Sequence, residues 1–155
     1  MSRILAAAGV LLSMCPAYAQ EPPKPEHVAR LTELIAKSQG PYRKIADGIW
    51  ETSYKGKNLS LIRIRIATAG DGVFFMTPLA PRQALFLNPD VLTKIAEFNA
   101  DYDYVKLALG KTSLDLRIDV TANLLDLATF NALESQTALA AEAAYALIKA
   151  SGALP

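Results

Sequence analysis

The stretch FNADYDYVKLALGKTSLDLRIDV, residues 98–120, decides how the rest of the chain is read. Val105, Leu107 and Leu109 alternate with Lys106 and Ala108. Beyond Gly110-Lys111-Thr112, the residues Leu114, Leu116, Ile118 and Val120 alternate with Ser113, Asp115, Arg117 and Asp119. Successive side chains of a strand point to opposite faces, so this period of two predicts an antiparallel hairpin with one apolar and one polar face. The flanking segments must supply cover for the apolar face.

Before this hairpin, Asn88 followed by Pro89 predicts a capped helix whose buried stripe is Val91, Leu92, Ile95 and Phe98. Three strands are expected upstream of that helix. Residues 45–54 put Trp50, Thr52 and Tyr54 on one side. Residues 59–67 put Ile62, Ile64 and Ile66 opposite Arg63 and Arg65. Residues 73–77 are apolar on both faces and end at Pro78, with 78–81 as a connector. This third strand is expected to form an edge that invites pairing with a second copy. A first helix opens at Pro25, turns Val28, Leu31, Leu34 and Ile35 inward, and stops at Gly40-Pro41. On the far side of the hairpin, Asp126 caps an alanine-rich helix that runs to Lys149. The expected fold is a single α+β domain in the order α-β-β-β-α-β-β-α, an antiparallel sheet packed by helices.

Residues 1–19 have the form of a secretory signal peptide. Arg3 precedes an apolar run from Ile4 to Met14, too short for a membrane anchor, and Ala17-Tyr18-Ala19 supplies the cleavage site. Lipidation of Cys15 is disfavoured because Met14 stands where such a site takes Gly or Ala. The expected product starts at Gln20 in a bacterial periplasm, with a mobile Pro-rich leader at 20–25 and one domain at 26–150. Cys15 is the sole cysteine, so the exported chain forms no internal disulfide. Sixteen basic residues face fifteen acidic ones, and Arg3 departs with the signal. A neutral chain has no long-range attraction for nucleic acid or anionic lipid, and no later segment is apolar enough for membrane insertion.

No catalytic residues, metal ligands or cofactor-binding residues emerge. Gly110-Lys111-Thr112 ends like a phosphate-binding loop, but Val105 replaces the required glycine and a strand follows in place of a helix. Asp101-Tyr102-Asp103-Tyr104 lacks the glycine and the closing glutamate of a calcium loop. His27, the single histidine, has only Glu26 beside it and reads as an exposed residue of the first helical turn. Asp47, Asp71 and Glu97 form no recognisable catalytic pairing. Arg63 and Arg65 either pair with Asp115 and Asp119 across the sheet or grip a partner's carboxylate. With Trp50, Tyr102 and Tyr104 they form the set of candidate partner-binding residues, Trp50 being a core residue in the alternative.

The capped helix from Asn88 to Asn99, the strand from Tyr104 to Leu109, the alternating strand from Leu114 to Val120 and the alanine-rich helix after Leu124-Leu125-Asp126 together resemble the YbjN family. The fold of that family is similar to that of type III secretion chaperones. The resemblance implies an α+β sandwich, often homodimeric, that binds other proteins and performs no chemistry. The function expected is a non-catalytic periplasmic module for a protein or peptide, chaperone-like or regulatory, needing no cofactor. The alternative is a small-molecule sensor or carrier, its pocket between sheet and helices lined by Phe74, Phe75, Met76 and Tyr145.

Overall fold

In the hairpin at the centre of the sequence, the Gly110 N–H donates to the Ser113 carbonyl at 2.8 Å and closes the turn. The computed structural model describes residues 21–154, so the signal peptide expected at 1–19 lies outside the described residues. Among those described are α1 (Pro25–Ser38), β1 (Arg43–Ala46), β2 (Ile49–Tyr54), β3 (Ile62–Ala69), β4 (Gly72–Pro81), α2 (Pro89–Asp101), β5 (Val105–Leu109), β6 (Ser113–Thr121) and α3 (Leu127–Ala150). The strands form one antiparallel sheet in the order β1-β2-β3-β4-β6-β5.

The helix ends follow their local chemistry. Pro25 and Pro89 occupy the first turns of α1 and α2, where a missing N–H costs nothing. The Asn88 side chain accepts from the Val91 N–H at 2.9 Å, and Asp126 accepts from the Thr129 N–H at 2.7 Å. Alternate residues of the strands turn Ile62, Ile64, Ile66, Val73, Phe75, Leu114, Leu116 and Ile118 toward the helices, where all are buried. Leu31 and Leu34 of α1, Val91, Ile95 and Phe98 of α2, and Phe130 and Ile148 of α3 close over them. Each fully buried side chain of this size contributes about 1.5–3 kcal/mol. Ala140, Ala141 and Ala144 let α3 lie close to the sheet.

Four expectations need correction. The first strand is two, β1 and β2, separated by a turn at Asp47-Gly48, where Gly48 has φ +71°. The sheet therefore has six strands where five were expected. Next, residues 73–77 are not an edge. β4 lies between β3 and β6 and runs on through Pro78 to Pro81. A strand apolar on both faces fits that central place, and the edge-pairing basis for a homodimer falls with this correction. The third concerns the leader, which is tied down. Pro23 bridges to Gly70, and the Lys24 ammonium pairs with Asp71 at 2.6 Å. Finally, His27 is buried, its Nδ1 at 2.9 Å from the Gly70 carbonyl, because the β3–β4 turn folds over the first turn of α1.

Two acids of α3 fasten the β1–β3 side of the sheet. Glu134, 3% exposed, accepts from the hydroxyls of Tyr42 and Tyr54. Burial, and then the hydrogen bond to Glu134, pushes both phenols above the ordinary tyrosine range. Glu142 accepts from the backbone N–H groups of Lys57, Asn58 and Leu59 at 3.1, 2.8 and 3.0 Å. Desolvation raises the Glu142 carboxyl, but these amide bonds together outweigh it and hold the group below its usual range.

Candidate functional site

The described helices pack on one face of the sheet, and the opposite face carries most of its charged side chains. Cross-strand register lines its side chains up in rungs. One rung reads Arg43, Glu51, Arg65, Met76, Arg117 and Lys106 from β1 to β5. Ile49, Ala67, Phe74 and Asp119 form a neighbouring rung, and Pro78, Asp115 and Ala108 a third.

Charges on this face are knitted together. Glu51 takes Arg43 at 2.8 Å and Arg65 at 3.4 Å. Burial raises the Glu51 carboxyl, but the two guanidinium groups outweigh it and pull it below the usual range. Arg117 pairs with Asp119 and lies over the Phe74 ring, 4.6 Å from its centroid. Asp115 accepts from the Ser113 hydroxyl at 2.9 Å, and desolvation holds its carboxyl above the usual range despite Ser113, Arg65 and Arg117. Arg65 pairs with Glu51 on the neighbouring β2 and also draws down the Asp115 carboxyl. The inserted β4 sets β3 and β6 two places apart. Pairs of this partly exposed kind contribute about 0.2–1 kcal/mol each.

The candidate partner-binding residues do not form one cluster. Arg63 and Arg65 share the face opposite the described helices, and Arg63 is exposed. Trp50 is 4% exposed on the helix-covered face, with the Lys44 ammonium 5.8 Å from its ring centroid. Tyr102 stacks on Phe98 at 4.4 Å between centroids, and Tyr104 is 72% exposed just before β5. Phe74 and Met76 face away from the helices while Phe75 faces them, so the pocket imagined from Phe74, Phe75, Met76 and Tyr145 does not assemble. Sequence reading missed Met76, Pro78 and Arg117 as neighbours of Arg65. Their alternation was visible, but their adjacency depends on strand order. Among the described residues, no three of His, Cys, Asp and Glu stand together to hold a metal, and no helix is long and apolar enough to cross a membrane.

No family model matches the chain, and no curated protein matches it by sequence. Solved structures match it by fold. A chain of the heterodimeric ExoU–SpcU complex from the type III secretion system of Pseudomonas aeruginosa aligns with TM-score 0.58 at 15% identity, covering 76% of this chain and 97% of that one. A chain of the ExsC–ExsE complex aligns with TM-score 0.57 at 13% identity, covering 79% and 93%. YbjN from E. coli aligns with TM-score 0.57 at 10% identity, covering 83% and 94%. The resemblance read from the sequence therefore holds at the level of fold.

Proposed function

We propose that this chain is an exported, non-catalytic module that binds a protein or peptide partner in the periplasm. The observation that carries the proposal is the fold it shares with chains from two protein–protein complexes, ExoU–SpcU and ExsC–ExsE. Fold alone does not fix a function, so the site has to supply the rest. A broad sheet face of arginines, acids and a few apolar side chains suits recognition of another chain better than chemistry on a small substrate. The form of residues 1–19 supports export, with cleavage after Ala19.

Co-purification from a periplasmic extract tests the binding role. The expected result is one protein that stays with the chain in stoichiometric amount through size exclusion. Recovery of no protein, together with a metabolite tightly bound to the purified chain, would overturn it. Intact-mass measurement tests export separately. A chain starting at Gln20 is expected, and a lipid-modified Cys15 or an uncut chain in the cytoplasmic fraction would refute it.

A further inference from the structure

The sheet is closed at two of its margins. On β5, the Asn99 carboxamide plugs the outer edge, accepting from the Leu107 N–H at 2.6 Å and donating to the Leu107 carbonyl at 3.0 Å. The second closure is made by the residues ahead of α1, and it bears on how the chain matures.

Glu21 to Lys24 lie against the β3–β4 turn. Pro23 forms a parallel bridge with Gly70, and the Lys24 ammonium reaches Asp71 at 2.6 Å. A Cβ on Gly70 would fall on the Glu21 carboxylate, and one on Gly48 would meet Pro23 at 3.5 Å, so this segment touches both the β3–β4 and the β1–β2 turns. The β3–β4 turn is itself held. The Asp71 carbonyl accepts from the Ala122 N–H at 2.9 Å, and the Gly70 carbonyl lies 2.9 Å from Nδ1 of the buried His27. Pro22, Pro23 and Pro25 restrict the backbone before it docks, which lowers the entropy cost of docking. Residues 21–24 thus form a strap across the turn.

Only Gln20 separates this strap from the expected cut after Ala19. An extended chain covers at most about 3.3–3.6 Å per residue, so the scissile bond stands within roughly 14 Å of Pro23. A peptide is taken up by its receptor as an extended strand, with residues seated on both sides of the bond to be cut. Even a domain of about 100 residues has a radius of gyration of about 13 Å, so two folded bodies cannot share that gap. A peptidase therefore needs the strap open.

We propose that the strap closes after export processing: the peptidase acts on a chain with residues 21–24 undocked, and closure over Gly70 and Asp71 follows the cut. The reaction that must come first is hydrolysis of the Ala19–Gln20 peptide bond, in which water supplies the oxygen of a new carboxylate on Ala19 and a proton to the new amine on Gln20. The proposal rests on the export reading above and adds an order of events to it.

The test uses the full-length chain, folded in mild detergent, and a purified bacterial signal peptidase, with the cut followed by intact mass. Where opening is fast relative to cleavage, the rate follows the open population. Asp71→Lys removes the strap's ion pair and leaves every residue near the cut unchanged. The Asp71 side chain is 66% exposed, so the melting temperature should stay close to that of the parent. This variant is expected to be cut roughly three- to tenfold faster than the parent. A second variant carries six glycine and serine residues between Gln20 and Glu21, which lets the bond stand roughly 20 Å further out with the strap still closed. It should be cut about tenfold faster or more. Equal rates for the parent and both variants would overturn the strap's role while leaving export processing intact. A gain in only one of the two would overturn it as well, since a closing strap requires both. If even the chain with the insertion is not cut after Ala19, the export reading falls and the ordered closure falls with it.

Discussion

Stripping the two phenols from Glu134 tests how the β1–β2 side of the sheet is held to α3. A hydrogen bond to a charged group contributes about 1.5–3 kcal/mol when its replacement cannot be hydrated. Tyr54 is 37% exposed, so water can take the place of its hydroxyl. Tyr54→Phe should therefore cost only about 1 kcal/mol. Tyr42 is more covered and packs against Phe130 at 6.1 Å between centroids, a contact that phenylalanine keeps. Tyr42→Phe should cost about 2 kcal/mol, nearly all of it from the lost hydroxyl. The double variant leaves a 3%-exposed carboxyl without either donor. With neither donor left, no remaining hydroxyl can compensate for the other, so the double loss should exceed the sum of the singles. Urea titrations followed by Trp50 fluorescence supply the measurement. Strictly additive single losses would refute the buried Tyr–Glu–Tyr cluster.

Asn99→Ala should bare the Leu107 N–H and carbonyl on the outer side of β5 and produce concentration-dependent association in light scattering; a variant as monodisperse as the parent would count against the plug. On Gly56 a Cβ would fall on Glu142 Oε1 and on the Leu59 carbonyl, so Gly56→Ala should destabilise by about 1–3 kcal/mol in urea titration. Because Glu142 is held below its usual range, its stabilising effect is present above the unfolded value of about 4.3 and lost as pH falls through the lower folded one. Glu142→Gln should therefore flatten the acid side of the stability profile, and an unchanged slope there would contradict the amide contacts. Asn88→Ala should cost about 1 kcal/mol through loss of the α2 cap, and urea titration would check it.

Alternation made most of the fold legible. Leu114, Leu116 and Ile118 on β6 and Ile62, Ile64 and Ile66 on β3 occupy the buried sides that their spacing implied. The split between β1 and β2 was also written in the sequence. Asp47-Gly48 is a strong short-range hairpin signal, but the apolar Ile45, Ile49 and Trp50 around it read as one continuous strand. What lay beyond local reading was strand order. Nothing near Val73 says that β6 will dock beside β4, and the arginine–methionine–arginine rung exists only once it does. His27 shows the same limit. Its first-turn position suggested solvent, and only the distant Gly70–Asp71 turn buries it.

The partners of Glu134 and Glu142 lie 80 to 92 residues earlier in the chain. A ribosome adds about 5–20 residues each second, so β1, β2 and β3 leave it several seconds before the segment that fastens them. The N-terminal half must wait, unlatched, for the last helix to emerge. Trimming the C terminus back through Glu142 would free the Lys57–Leu59 turn, and going on past Glu134 would release the Tyr42 and Tyr54 hydroxyls as well.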